Sequence, residues 1–194
     1  MMFQARFHGR GGQGVVTAAE MLSVAAFLEG KHAQAFPSFG SERMGAPVVS
    51  FCRISDREIR LREPVLEPDA LVIQDPTLLH SVDLFSGLKS DGAVIINSTK
   101  DVADLGLDAL VERLPAGNIR SVGATELAMK HIGRPLPNAV MLGGLAAMTG
   151  VIKLESVIAA IRQAFPGAIG DSNVAAATAA FEVVAANKKD AVSC

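Results

Sequence analysis

The residues best placed to do chemistry form a glycine-rich stretch near the start of the chain. Four glycines fall within six residues there, namely Gly9, Gly11, Gly12 and Gly14. Glycine permits positive φ angles and lets a backbone approach a ligand closely. The stretch follows a short alternating segment and precedes a long apolar one, which predicts the order strand, loop, helix. A helix that begins in this way offers unpaired N–H groups and a positive dipole end, so it has the form of an anion site.

The spacing Gly9-x-Gly11-x-x-Gly14 matches the dinucleotide-binding fingerprint. That fingerprint also expects an Asp or Glu at the end of the second strand, to hold a ribose. The second strand is predicted over 31–36, and the segment that follows it, 36–40, contains no acid. A nicotinamide cofactor is therefore not favoured. A stand-alone nucleotide- or NAD-binding module stays open as an alternative, as does a tight turn that only allows the helix to pack on the sheet.

Composition excludes several classes of protein. The chain has 194 residues, of which 49% are hydrophobic and 20% charged, as is typical of a single globular domain over 1–194. The net charge of −2 gives no general attraction to nucleic acid or to an anionic membrane. No apolar run is long enough to cross a membrane, and the first residues do not resemble a signal peptide. We expect a cytoplasmic protein with no nucleic-acid or membrane partner.

Groups that support self-sufficient catalysis are not clustered in the sequence. Its two cysteines, Cys52 and Cys194, are too few and too far apart for an iron–sulfur cluster, a zinc site or a disulfide framework. The four histidines are widely scattered. Because catalysis of these kinds needs a nucleophile beside a base or a group of ligands, we predict no catalytic residue and no metal site. His8 is expected to be a hydrogen-bonded structural residue rather than a base.

The predicted strands are those of an α/β sheet. Continuous apolar segments at 69–75 and 92–98 indicate strands buried on both faces, as in a parallel sheet. Alternation predicts a strand at 48–54 that returns over 59–61 as a β-hairpin. A weaker strand is expected at 118–122.

Helices are predicted between and after these strands. The predicted ranges are 14–29, 77–85, 123–131, a segment that begins at Asn138, 154–165, and a last helix capped by Asp171 or Ser172. The fold class is therefore α/β: three-layer and Rossmann-like, with a mostly parallel sheet, a β-hairpin and a helical C-terminal part. Ligands in such sheets bind beyond the carboxyl ends of the strands. The glycine stretch, the loop at 36–47 and Asn97 are then expected to share one rim.

Two segments together resemble one family far more specifically than either does alone. Residues 7–20 and 36–48 are similar to the gamma subunit of pyruvate and other 2-oxoacid:ferredoxin oxidoreductases, and the runs 75–79, 95–97 and 137–143 fit it as well. The resemblance implies that the chain works inside a multi-subunit enzyme. In that family a thiamine diphosphate enzyme decarboxylates a 2-oxoacid, iron–sulfur clusters pass the electrons to ferredoxin, and coenzyme A accepts the acyl group.

The resemblance also implies which parts this chain supplies. Thiamine diphosphate and the iron–sulfur clusters lie on partner subunits of the alpha, beta and delta types, through which ferredoxin is reached. The gamma subunit contributes to the coenzyme A site and to subunit assembly, so the isolated chain is expected to be inactive. Pyruvate is the first expectation for the substrate, and 2-oxoglutarate and branched-chain 2-oxoacids stay open.

Site residues follow from the resemblance position by position. Ser41 and Arg43 lie in the segment that resembles the coenzyme A-contacting loop, and Asn97 and Asn138 match polar positions near the same ligand. An arginine forms charge-assisted pairs with phosphate, and asparagine amides bond pantetheine amides or fix loops. Together with the four glycines, these are the expected cofactor-binding residues. Some single-chain members of the family have two adjacent basic residues where this chain has Glu42 and Arg43, so Glu42 departs from that pattern, and its carboxylate would repel phosphate.

Overall fold

The computed structural model describes residues 1–38 and 44–192, with side chains described as far as 187. Its strands form one six-stranded sheet in the order β2-β3-β1-β4-β5-β6. They are β1 (Met2–Arg10), β2 (His32–Pro37), β3 (Pro47–Ser55), β4 (Ala70–Ile73), β5 (Ala93–Asn97) and β6 (Ile119–Val122). The helices are α1 (Val15–Leu28), α2 (Asp108–Arg113), α3 (Ala124–His131), α4 (Asn138–Thr149), α5 (Leu154–Ala164) and α6 (Gly167–Val192). Two short 3₁₀ helices cover Pro76–His80 and Val102–Leu105.

The sheet separates two apolar cores, because successive strand residues point to opposite faces. Val72 and Ile95 pack in a core with buried residues of α1, α3, α4, α5 and α6. Leu71, Ile73 and Ile96 pack in a second core with residues of α2 and of the 3₁₀ helices. Helical layers therefore cover both faces, and the predicted three-layer α/β class is confirmed.

The sheet is mostly parallel but has an inserted antiparallel strand. β1, β4, β5 and β6 pair in parallel, whereas β3 runs antiparallel to both β1 and β2. Cys52 of β3 accordingly lies opposite Ala5 on one side and Ala35 on the other. In a dinucleotide-binding fold the strand after the glycine helix lies beside the first strand. Here β3 keeps β2 one place away, which weighs further against a nicotinamide cofactor.

The predicted hairpin partner of β3 is wrong. Residues 59–61 form no strand, and β3 has no free edge to offer them, because β1 and β2 occupy both of its sides. The segment after β3 is instead held by Arg53, whose Nη2 donates to the carbonyl oxygens of Glu63 and Pro64 at 2.7 and 3.3 Å. The antiparallel pair formed by consecutive strands in this region is β2 and β3.

Two predicted helices have different limits in the structure. The helix expected at 77–85 is only the 3₁₀ helix Pro76–His80. The Leu84 N–H donates to the Val82 carbonyl at 2.9 Å rather than to a carbonyl four residues back, and the Leu84 carbonyl accepts from Arg6 at 2.7 Å. The last helix begins at Gly167, directly after Pro166, rather than at Asp171 or Ser172.

Helix α4 carries two adjacent glycines, and one of them, Gly143, lets α4 and α6 pack in close contact. A Cβ added at Gly143 would meet the backbone carbonyl of Ala177 in α6. A Cβ added at Gly144 would meet the Cδ1 atom of Ile95, the flexible end of a side chain in β5. The neighbour of Gly143 is therefore backbone that cannot easily move, whereas the neighbour of Gly144 is a side chain that can.

This difference predicts opposite tolerance to alanine. Both substitutions gain about 1 kcal/mol of helix propensity. Gly143→Ala forces two backbones apart, so we expect a net loss of about 2 kcal/mol in the free energy of unfolding. Gly144→Ala is the matched control and is expected to stay within about 1 kcal/mol of the wild type. Urea unfolding of the two purified variants measures the difference, and equal stabilities would contradict this account of the packing.

Candidate functional site

The glycine stretch is joined to the second loop at the carboxyl edge of the sheet. Gly11 donates its N–H to the Ala46 carbonyl at 2.9 Å and accepts from the Gly45 N–H at 3.1 Å. Gly11 and Met44 also form a parallel bridge. We call residues 9–16, 44–46 and 74–77, with Asn97 and Asn138, the rim. Ser41 and Arg43, predicted as site residues in the same loop, lie outside the described residues.

Gly9 has a packing reason to be glycine. A Cβ at this position would lie 2.6 Å from Cγ2 of Val15 and 3.0 Å from Oε1 of Gln13. Its absence lets the start of α1 approach β1. The packing of α1 on the sheet is therefore enough to explain why residue 9 is a glycine.

Gly12 and Gly14 instead adopt backbone angles that favour glycine, with φ of 94° and 69°. Gly14 is the N-cap of α1 and faces the side chain of Asn138, and no side chain of residues 1–38 or 44–187 caps the helix. The N–H groups of Gly12, Gly14, Val15 and Val16 donate to no acceptor in the described part of the chain. Such a run of free amides at a helix start attracts an anion.

A carboxylate organises the glycine stretch from the end of β4. Asp75 Oδ1 accepts from the Thr77 N–H and hydroxyl at 2.9 and 2.6 Å, and its Oδ2 accepts from Gln13 Nε2 at 2.8 Å. Gln13 Oε1 in turn accepts the N–H of Arg10 at 2.7 Å. The Arg10 guanidinium lies 3.3 Å from Asp75 Oδ2 and donates to the Gly45 carbonyl at 3.0 Å. We call Arg10, Gln13, Asp75 and Thr77 the Asp75 network.

The charge of Asp75 is well compensated. Burial raises the pKa of its carboxyl group, but hydrogen bonds from Thr77 and Gln13 and the positive charge of Arg10 together lower that pKa below its usual value. Asp75 is therefore ionised at neutral pH and acts as a fixed acceptor rather than a proton donor.

Asn97 uses its amide within the chain. Its Nδ2 donates to the Gln74 carbonyl and to Oγ1 of Thr125, both at 2.8 Å. Its Oδ1 accepts the N–H of Thr125 at 3.1 Å, at the start of α3. Asn97 thus ties β4, β5 and α3 together at the rim, and both N–H bonds of its amide are already used.

Gln74 is a rim residue that the sequence did not single out. It is 1% exposed, and its Oε1 and Nε2 have no hydrogen-bond partner in the described part of the chain. Its backbone N–H donates to the His8 carbonyl at 2.7 Å. Buried amides are nearly always hydrogen-bonded, so Gln74 is a candidate ligand contact. The only feature of the sequence that pointed to Gln74 as a site residue was its position near the end of a predicted strand.

Asn138 borders a cavity of about 530 Å³ next to the start of α1. Its polar lining residues are Arg134, Asn138, Ser172 and Asn173, and its apolar ones are Ile132, Leu136, Phe165, Ala168 and Ile169. Pockets of this size and mixed character are typical of small-molecule sites. The side chain of Asn138 also faces Gly14, so Asn138 connects the lining of the cavity with the start of α1.

Two buried amides have unused groups beside this cavity. Asn138 Oδ1 accepts the Ala139 N–H at 2.9 Å, and Asn173 Nδ2 donates to the Ile169 carbonyl at 2.9 Å. Within the described residues, Asn138 Nδ2 and Asn173 Oδ1 have no partner. They provide one donor and one acceptor, which is the pattern that a ligand amide complements. Arg134 adds a positive charge at the cavity.

His8 has the structural role expected of it. It is 4% exposed, and its Nε2 accepts from Arg6 Nε at 3.0 Å. Burial and the positive charge of Arg6 lower the pKa of His8 to about 3. A neutral imidazole that already accepts a hydrogen bond is unsuited to act as a base.

Other catalytic groups are also not assembled in the described ranges 1–38 and 44–192. No group of three or more His, Cys, Asp or Glu residues there is placed to hold a metal ion. Cys52 is buried, and burial raises the pKa of its thiol. No helix in these ranges has the length and apolar character needed to cross a membrane.

Sequence comparison matches nearly the whole chain. A family model described as pyruvate ferredoxin/flavodoxin oxidoreductase matches residues 4–183. The "Pyruvate/ketoisovalerate oxidoreductases common subunit gamma" of Thermococcus kodakarensis is 49% identical over 180 residues, 93% of this chain and 96% of that protein. "Pyruvate synthase subunit PorC" of Methanothermobacter marburgensis is 48% identical over 181 residues, 93% of this chain and 97% of that protein.

Solved structures agree with these relatives. The pyruvate oxidoreductase subunit PORC from Thermotoga maritima superposes with a TM-score of 0.78 at 38% identity, over 93% of this chain and 96% of that one. A 2-oxoglutarate:ferredoxin oxidoreductase from Magnetococcus marinus, with 2-oxoglutarate, coenzyme A and succinyl-CoA bound, has a TM-score of 0.68 over 96% of this chain and 31% of that chain. At 14% identity, it shares the fold.

The low pKa of His8 predicts a pH dependence of stability. An unfolded histidine has a pKa near 6.5, so below that pH the unfolded chain binds a proton that folded His8 refuses. Stability therefore falls on acidification from about pH 6.5 towards 3, by about 1.4 kcal/mol per pH unit. NMR titration of the imidazole and pH-dependent unfolding test this, with His8→Gln as a control that cannot titrate. Titration of His8 near pH 6.5 in the folded protein would contradict it.

Proposed function

Because this chain belongs to the pyruvate ferredoxin/flavodoxin oxidoreductase family, we propose that it is the gamma subunit of a multi-subunit 2-oxoacid:ferredoxin oxidoreductase and contributes to the coenzyme A site. The overall reaction converts a 2-oxoacid, coenzyme A and oxidised ferredoxin to acyl-CoA, carbon dioxide and reduced ferredoxin. Pyruvate is the first candidate substrate, since relatives at 48–49% identity are named for pyruvate or for pyruvate and ketoisovalerate.

The redox chemistry is assigned to partner subunits. Iron–sulfur clusters need several cysteine thiolates, and this sequence has two cysteines, one of them the buried Cys52. Thiamine diphosphate needs a dedicated cofactor site. We assign these cofactors to alpha, beta and delta-type subunits. The chain's own part is then to bind and orient coenzyme A.

The observation that carries this proposal is the position of Asn138, which lines the cavity and also faces Gly14 at the start of α1. The N–H groups of Gly12, Gly14, Val15 and Val16 suit a phosphate of coenzyme A. Backbone N–H groups at a helix start bind an anion without needing a positively charged side chain. The cavity of about 530 Å³ has apolar walls for a methylene chain and, in Asn138 Nδ2 and Asn173 Oδ1, groups that complement a pantetheine amide. Arg134 suits a further anionic group.

Purified alone, the chain is expected to bind coenzyme A in preference to NAD but to catalyse no redox reaction. The reason is that the family's electron carriers are assigned to other subunits. Dye reduction with pyruvate tests activity, and calorimetry tests binding of the two ligands. Pyruvate-dependent dye reduction by the lone chain, or preferential binding of NAD, would overturn this part of the proposal.

In the assembled complex, Asn138→Ala is expected to raise the KM for coenzyme A about tenfold with little change in kcat, because one ligand hydrogen bond from a buried donor is lost. Asn118→Ala is the matched control. Asn118 donates to the carbonyl oxygens of Asp91 and Gly92 at the opposite edge of the sheet, and its loss should leave that KM unchanged.

Steady-state assays at saturating 2-oxoacid and ferredoxin measure these constants. An unchanged KM in Asn138→Ala would remove Asn138 from the site. The same assay on Arg43→Ala tests the contact that the sequence resemblance alone proposes, and there too we expect the KM for coenzyme A to rise.

A further inference from the structure

We propose that Asp75 is the positioning residue for the anion-binding amides of the glycine stretch, and that it acts through the side chain of Gln13. The inference rests on the proposed function, because it concerns how the rim is held ready for a phosphate-bearing ligand. Asp75 itself has no ligand role in it. Both of its carboxylate oxygens already accept hydrogen bonds from the chain's own donors.

The hydrogen bonds of this network run in one direction only. Asp75 Oδ1 faces the two donors of Thr77, so Oδ2 is the oxygen that receives Gln13 Nε2 at 2.8 Å. This leaves Gln13 Oε1 to accept the Arg10 N–H at 2.7 Å. The carboxylate therefore fixes which way the Gln13 amide points, and that amide fixes the backbone of the loop at Arg10.

The free amides lie in the glycine stretch itself, at Gly12 and Gly14, and directly after it, at Val15 and Val16. The chain turns back at Gln13, whose N–H donates to the Arg10 carbonyl at 3.1 Å. The N–H groups of Gly12 and Gly14, which have no acceptor among the described residues, flank Gln13. Gly12 and Gly14 have positive φ and little intrinsic preference for one conformation. A side-chain brace is therefore what holds their N–H groups in register.

Arg10 extends the same brace to the second loop. Its Nη1 donates to the Gly45 carbonyl at 3.0 Å, and its Nη2 donates to Oγ1 of Thr77 at 2.9 Å. The Asp75 network thus joins the end of β4, the glycine stretch and the segment 44–46. A change at Asp75 is transmitted to both loops of the rim.

Asp75→Asn tests the inference with almost no change in volume. The new amide places its N–H₂ against Gln13 Nε2 or, if this amide turns over, against the Thr77 N–H. If Gln13 turns over instead, Gln13 Nε2 meets the Arg10 N–H. One donor–donor contact results in each of these orientations. In the assembled complex we expect the KM for coenzyme A to rise about tenfold, with kcat within about twofold of the wild type.

A second substitution should rescue the first. Gln13→Glu alone sets two carboxylates against each other and is expected to raise the same KM. In the double variant Gln13→Glu/Asp75→Asn the direction of the bonds is reversed. The new amide donates to the new carboxylate, which still accepts the Arg10 N–H. We expect the KM to return to within about threefold of the wild type, a coupling that two independent defects would not show.

Asp69→Asn is the control for loss of a carboxylate near the other end of β4. Asp69 accepts from the Gln4 N–H at 2.7 Å and from Lys89 Nζ at 2.6 Å, at the amino edge of the sheet. This variant is expected to lower the melting temperature without raising the KM for coenzyme A. It separates positioning of the rim from general stability.

The outcomes are distinguishable. If the double variant is as impaired as the sum of the single ones, or if Asp75→Asn leaves the KM unchanged, the positioning role is overturned. If Asn138→Ala also leaves the KM unchanged, the proposed coenzyme A site fails with it. Should the single variants fail to assemble, a double variant that assembles with a near-normal KM still supports the inference, and one that fails as well overturns it.

Discussion

The carboxylate of Asp75, at the end of β4, is the interaction on which the arrangement of the rim depends. It receives donors from Thr77, Gln13 and Arg10, and through them it fixes the glycine stretch and the segment 44–46 relative to the sheet. A partly buried charge is costly unless every oxygen is satisfied. Each of these donors belongs to the rim, in residues 9–16 or 74–77. The hydrogen bonds that satisfy the charge of Asp75 are therefore the ones that hold the rim segments together.

Close packing on the helical side lets that rim form next to a cavity. Gly9 allows α1 to approach β1, and Gly143 allows α6 to approach α4. The starts of α1 and α4 meet where Gly14 faces Asn138, and the cavity opens beyond that contact. Small residues thus position a polar site that contains no cluster of catalytic side chains in its described part. Such a surface suits a subunit that binds one substrate for chemistry carried out elsewhere in a complex.

Local pattern predicted most of the elements. Strands β4 and β5 and helices α1, α3 and α5 were expected close to their observed limits, and α4 was expected to begin at Asn138. Each combines a clear apolar period with glycine, proline or a capping residue at its ends. The return strand at 59–61 and the helix at 77–85 were wrong for tertiary reasons. β1 and β2 occupy both edges of β3, and after His80 the chain leaves the helical pattern, with the Leu84 N–H bonded to the Val82 carbonyl and the Leu84 carbonyl bonded to Arg6.

The sequence by itself determined the family, the α/β class and the glycine stretch, because these depend on residue types at short, fixed spacings. Only the tertiary structure decided what each polar residue does. Asn97 links two strands to a helix through its hydrogen bonds, and His8 accepts a hydrogen bond from Arg6. Gln74 and Asn173 were recognised as candidate ligand contacts only in the structure. Hydrogen bonds such as Gln13–Asp75 join residues 62 positions apart. No local pattern encodes such a pairing, since it exists only once the sheet brings its strand ends to one edge.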